Sequence, residues 1–156
     1  MAVSYVPVIM AALVTQATAA LPAVTVSYGW RDTEDNPGDW LMIGVPDPFG
    51  SDAANVSTST QVMATAGTPR SRDENVSIPC HAYSANGDRD QQAALEAAMA
   101  TFEAAAALVR VTPDLGISHS QKLILQVSDV NIYLSDTGEA GAEALVVFTV
   151  AADTRI

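Results

Sequence analysis

The apolar positions of this chain change their spacing several times, and each change marks a new element. Near the start, Val6, Ile9, Met10, Leu13, Ala17 and Leu21 fall close to the i, i+3, i+4, i+7 series, which predicts one buried stripe of a helix. Ser4 stands ahead of them as a cap, and Pro7 lies in the first turn, where its missing N–H costs nothing. After Pro22 the spacing becomes two. Ala23-Val24-Thr25-Val26-Ser27-Tyr28 alternates and is rich in β-branched residues, so a first strand is predicted.

From Gly29 to about Asn55 the chain turns acidic and Pro/Gly-studded, interrupted only by the apolar Trp40-Leu41-Met42-Ile43-Gly44-Val45. This predicts a long acidic loop, about 31–55, that carries its own short strand. Val56 to Ala66 and Asn75 to Ala85 read as two further strands. Between them Gly67-Thr68-Pro69-Arg70-Ser71-Arg72-Asp73-Glu74 has the Gly, Pro and charge of an exposed hairpin tip, 67–74. Pro79 inside the second strand points to an edge or a bulge, because it has no N–H to give to a ladder.

Asn86-Gly87-Asp88 ends that strand and offers Asp88 as the cap of an Ala-rich helix running to about Val111. Within it Leu95, Met99, Phe102, Ala106 and Val109 form an apolar stripe at intervals of three and four. Pro113-Asp114-Leu115-Gly116 stops the helix, and Gln121 to Ser135 returns to strand-like composition before a loop at Asp136 to Gly141. The last strand, Ala144 to Ala151, is apolar on both faces, as expected of a central strand with helices on one side and other cover on the opposite one. The order predicts a single α+β domain over 1–156, with an N-terminal helix and one long Ala-rich helix packed on a mostly antiparallel or mixed sheet.

Composition narrows the function classes. Eighteen acids against seven Lys+Arg leave a net charge of −11, so the attraction to phosphate that drives nucleic-acid binding is missing. Apolar residues make up 49% of the chain and charged ones only 16%, which is too hydrophobic for disorder and leaves apolar area to close against other subunits. The lone Cys80 rules out an intrachain disulfide framework and any Cys-pair zinc site. No window supplies the roughly 20 consecutive apolar residues of a membrane span.

The search for chemistry is short. Cys80 and His81 are adjacent, but neighbours on a strand point to opposite faces and form no nucleophile–base dyad with each other. His119 remains as a second histidine with no motif around it. Asp32, Glu34 and Asn36 imitate the start of a calcium loop, yet Pro37 replaces the needed Gly and Ile43 stands where a bidentate carboxylate belongs. A solvated charge run is the simpler reading, with a loose cation site as the minor one. Phosphate-cradling Gly loops, H-E-x-x-H helices and G-x-S-x-G elbows are absent from the sequence. The expectation is a non-enzyme without catalytic, cofactor-binding or metal-binding residues.

Taken together, the pieces resemble the tail terminator proteins of long-tailed (siphovirus-type) bacteriophages. The resemblance runs through the N-terminal helix, Val24-Thr25-Val26-Ser27-Tyr28-Gly29-Trp30, Leu41-Met42-Ile43-Gly44-Val45, and Ser59 to Gly67 leading into Thr68 to Glu74. It resumes with Asn86-Gly87-Asp88, the Ala-rich helix, and Ala144-Leu145-Val146-Val147-Phe148-Thr149-Val150, so that nearly the whole chain is covered. It implies a virion structural protein forming a homo-hexameric ring that caps the tail tube, stops its polymerisation and presents the joining surface to the head connector. The implied partners are other copies of the chain, the major tail tube protein and the head–tail connector or neck proteins. Genomic DNA would pass through the pore without specific binding, and no membrane is involved. The implied location is the head-proximal end of the tail, after assembly in the host cytoplasm.

Long charged excursions suit docking between rings, which makes Arg70, Arg72, Asp73 and Glu74 of the hairpin tip and Asp32, Glu34 and Asp35 of the acidic loop the candidate inter-ring contacts. Mutual neutralisation of Arg70 and Arg72 by Asp73 and Glu74 is the simpler alternative. Three other readings stand beside the ring: another head–tail joining or tail completion protein of the phage neck, a secreted binding domain whose segment from Val3 is cleaved near Ala17-Thr18-Ala19, and a small hydrolase using His81 or His119.

Overall fold

The computed structural model describes residues 4–30, 38–48, 58–63, 72–88, 90–118, 122–136 and 141–155. Helix α1 is Val6–Ala20, so its cap falls one residue after the expected Ser4. Tyr5 occupies the cap position without a side-chain bond, while the Ser4 hydroxyl accepts the Val6 N–H at 3.1 Å. The stripe read from the sequence is the buried one: Ile9, Met10, Leu13 and Ala17 all lie in the core, Ile9 at 0% exposure.

The strands are β1 (Thr25–Tyr28), β2 (Asp39–Ile43), β3 (Thr58–Met63), β4 (Arg72–Asn86), β5 (Leu123–Asp136) and β6 (Ala142–Arg155). They form one six-stranded sheet in the order β1-β2-β4-β6-β5, with β3 also beside β4. Only β1 and β2 run parallel, and every other pair is antiparallel, so the expected mostly antiparallel α+β architecture is found. β6 lies between β4 and β5, in the interior position that its two apolar faces predict.

Pro79 corrects one expectation: its strand is central, with β6 on one side and β2 and β3 sharing the other. The β3 pairing covers Arg72 to Ser77 and the β2 pairing covers Cys80 to Ser84, so Pro79 falls in the gap between the two neighbours. No ladder partner there asks for the missing N–H. Its carbonyl is used instead, accepting the N–H groups of Gly44 and Val45 at 2.9 and 3.0 Å as the chain turns out of β2. Gly44 makes that turn with φ +80, a conformation that favours glycine.

Helix α2 (Gln91–Val111) is capped by Asp90, not by Asp88. The Asp90 Oδ1 accepts the Ala93 N–H at 3.1 Å, whereas the Asp88 N–H closes the preceding turn by donating to Asn86 Oδ1 at 2.9 Å. Its deepest line is Ala94, Ala98, Thr101, Ala105 and Val109, with Leu95, Met99 and Phe102 only partly buried beside it. Small residues at the line of closest approach let the helix lie near the sheet, and the larger ones fill the space to either side. Both helices cover the same face, where Leu41, Ile43, Ile78, Ala82, Val146, Phe148 and Val150 complete one core. Phe102 meets Phe148 edge-on, with ring centres 5.0 Å apart.

Candidate docking site on the open face of the sheet

Of the charged residues singled out from the sequence, Arg72, Asp73 and Glu74 lie in strand β4 and not in a hairpin loop. Asp32, Glu34, Asp35 and Arg70 lie outside the described residues, as does His119. Arg72, Asp73 and Glu74 belong to the first turns of β4, in register with Met63, Val62 and Gln61 of β3. Arg72 is exposed and donates to Gln61 Oε1 at 3.4 Å. Asp73 is bound by Arg155 of β6 through two bonds, Nε–Oδ1 at 2.6 Å and Nη2–Oδ2 at 3.2 Å. This ion pair holds the Asp73 carboxyl below its ordinary range and raises Arg155. The Asp73 partner comes from β6, and the neighbouring Arg72 turns to Gln61.

Glu74 is a correction. It is 0% exposed and points to the helix-covered face, where Oε1 accepts the Ser4 hydroxyl at 2.5 Å and Oε2 accepts the Tyr5 N–H at 2.9 Å. A carboxylate at the start of α1 meets the unpaired N–H groups and the positive end of the helix dipole. The group expected to dock an outside ring instead ties the first helix to the sheet.

Among the described residues no helix lies on the opposite face of the sheet. Trp40, Met42 and Val45 form a small second cluster there with Tyr83 packed against it, covered by the segment 44–48 that leaves β2. Two side chains fasten that segment. The His81 Nε2 lies 3.0 Å from the Pro46 carbonyl oxygen, and the Tyr133 hydroxyl donates to Asp47 Oδ2 at 3.1 Å. Burial lowers the His81 pKa, with the Pro46 and Asp47 contacts acting in the other direction. Tyr133 is raised by desolvation and by Asp47.

Cys80 and His81 point to opposite faces, as their adjacency on a strand requires. Cys80 is sealed in the helix-side core, and burial pushes its thiol up to about 12. That is the opposite of what an activated nucleophile needs.

Beside the fastened segment lies an open groove of about 520 Å³. Met42, His81, Tyr83, Tyr133 and Leu145 contribute to its lining, and Trp30 and Pro48 join them from the loops beyond β1 and β2. Trp30 is 70% exposed, and its ring stands edge-on to His81 with centres 6.4 Å apart. On the β5 side, Ile132 and Leu134 add two exposed apolar residues, next to Ser135 and Glu143. A bulge between Ser128 and Asn131, with Asp129 at φ +54, shifts the register of β5 and places Tyr133 across from Leu145. No sequence motif marks this groove, because its residues come from five separate stretches of chain.

Among the described residues no group of three or more His, Cys, Asp or Glu is placed to hold a metal ion. No described helix is long and apolar enough to cross a membrane. The shape of the site is that of a contact surface, with aromatic and aliphatic residues and few polar groups.

Comparison with known proteins gives a single kind of signal. No protein-family model matches the chain, and no curated protein matches it. Among solved structures, a chain from the virion of a native gene transfer agent (GTA) particle is similar with a TM-score of 0.52 at 15% sequence identity, over 98% of this chain and 100% of that one. The two chains share one fold from end to end.

Proposed function

We propose that this chain is a structural virion protein and, more specifically, a tail terminator: a ring of identical copies that ends the tail tube and presents the joining surface to the head connector. The observation that carries the reading is the end-to-end likeness to a chain of a gene transfer agent virion, in which neither chain has a large unmatched part. The sequence resemblance to tail terminators of long-tailed phages points the same way. Net charge supports a conduit role, since a chain at −11 repels the DNA that passes through it. On this reading the protein acts by geometry and carries out no catalysis.

A particle reconstruction tests it directly. The expected result is a ring of this chain between the tail tube and the head, with six copies, and deletion of its gene is expected to give tails of unregulated length that fail to join heads. Particles that assemble normally and contain no copy would overturn the proposal. A ring found at another level of the neck would select the alternative of a head–tail joining or completion protein. The secreted-domain reading conflicts with α1, whose Ile9, Met10, Leu13 and Ala17 are core residues. Removing that segment would leave the sheet face beneath it open to water.

A further inference from the structure

We infer that the groove on the helix-free face of the sheet is a docking site for an extended, lysine- or arginine-bearing apolar segment of another protein. The inference rests on the groove itself and stands whether or not the virion reading holds.

Three observations carry it. First, the groove is built and not collapsed: the His81–Pro46 and Tyr133–Asp47 contacts hold its wall, and the bulge in β5 brings Tyr133 into it. Second, it is apolar where a partner would bury surface. Trp30 is 70% exposed and shares the groove with Leu145, Tyr83, Tyr133 and Met42, while Ile132 and Leu134, 49 and 47% exposed, border it at the sheet edge, where their register with Val146 and Ala144 turns them toward the helix-covered side. Exposed aromatic and aliphatic residues grouped at one concavity mark an interaction surface far more often than scattered ones do.

Third, the charged side chains at the groove are, among the described residues, acidic. Among the described residues, the only charged side chain lining the groove is Glu143, which accepts the Ser135 hydroxyl at 3.2 Å. Asp47 sits on the fastened wall and Asp136 ends β5 beside Ser135. These carboxylates at the rim of the groove draw in a basic segment. An extended shape follows from the border of the groove. Among the described strands β5 is the last of the sheet, and its outer edge offers backbone groups to a segment laid along Ile132 to Ser135.

The test uses the full chain and two labelled synthetic peptides with the same Leu-Phe-Leu centre, one flanked by lysines and one by glutamates, read by fluorescence anisotropy. The lysine peptide is expected to bind about tenfold more tightly at ~50 mM salt, with the difference shrinking at ~500 mM as screening sets in. Trp30→Ala is expected to weaken the lysine peptide several-fold, and Glu143→Lys to remove its advantage, with thermal melts of both variants matching the parent. Because Glu143 is half-buried, Glu143→Gln serves as a milder variant expected to lower the preference without reversing it. Equal binding of the two peptides, absence of binding, or binding indifferent to both Trp30 and Glu143 would overturn the inference. So would sedimentation showing self-association that Trp30→Ala abolishes, since the occupant would then be a second copy.

Discussion

The two faces of the sheet are made by the same strands, yet they have opposite properties. On one, alternate residues of β2, β4 and β6 meet α1 and α2 in a continuous core with small side chains at the line of closest approach. On the other, the cover among the described residues is the protein's own segment 44–48, fastened by one histidine and one tyrosine, with an apolar groove beside it. The first face stores the stability of the fold, and the second keeps apolar area in contact with water. Natural monomers seldom leave such area exposed without a use for it.

Substitutions on the two faces should therefore separate sharply. The largest effect is expected at Phe148, buried on the helix side against Phe102. Phe148→Ala should cost about 3–5 kcal/mol, read from urea unfolding with an unchanged slope. A loss under half of that would show that the closed face relaxes around cavities and that the contrast between faces is weaker than its packing suggests.

Next in size is Glu74, at the seam between α1 and the sheet. Glu74→Ala leaves the Tyr5 N–H and the Ser4 hydroxyl without their acceptor, for an expected loss of about 1–3 kcal/mol. Amide exchange should quicken in the first turn of α1 and stay unchanged in α2. Uniform quickening across both helices would mean that Glu74 supports the whole core and not one helix end.

The open face should reveal itself through pH. Burial lowers the His81 pKa from 6.5, so the unfolded chain takes up a proton before the folded one does. Its contribution to stability is complete above pH ~6.5 and is lost as the pH falls from there toward the lower folded value, by at most about 1.4 kcal/mol per pH unit for one proton. His81→Gln should flatten that part of the profile between pH 7 and 5, as measured by unfolding at each pH. An identical slope in parent and variant would show that other groups govern the acid limb.

Smallest of all should be Trp30→Ala, a change of under about 1 kcal/mol, because the ring is largely in water and meets the His81 ring at a right angle. A large loss in the melting curve would mean that the indole is structural, and the open face would then be a covered one.

Much of the closed face was legible in the sequence. The spacing marks Ile9, Met10, Leu13 and Ala17 of α1 as buried, with Val6 and Leu21 only partly so, and the double apolar character of β6 announces its central place. In α2 the period was right but the line was one residue off, since hydrophobicity weights Leu95, Met99 and Phe102 above the alanines that make the closest approach. Little of the open face could be read. His81 was visible only as a neighbour of Cys80, and the pairs His81–Pro46 and Tyr133–Asp47 join residues 35 and 86 positions apart.

Local order is set by forces that act over a few residues: apolar periodicity, proline geometry and capping oxygens. By those means the sequence alone determined the two helices, the order of the strands, the acidic balance and the absence of a recognisable catalytic motif. Tertiary structure decided what depends on distant strands meeting. It turned Glu74 inward to α1, paired Asp73 with Arg155, set Pro79 in the gap between β2 and β3, and gathered Trp30, Met42, Tyr83, Tyr133 and Leu145 around one groove. Periodicity tells which face of a strand is apolar, but only the closed sheet fixes what that face meets.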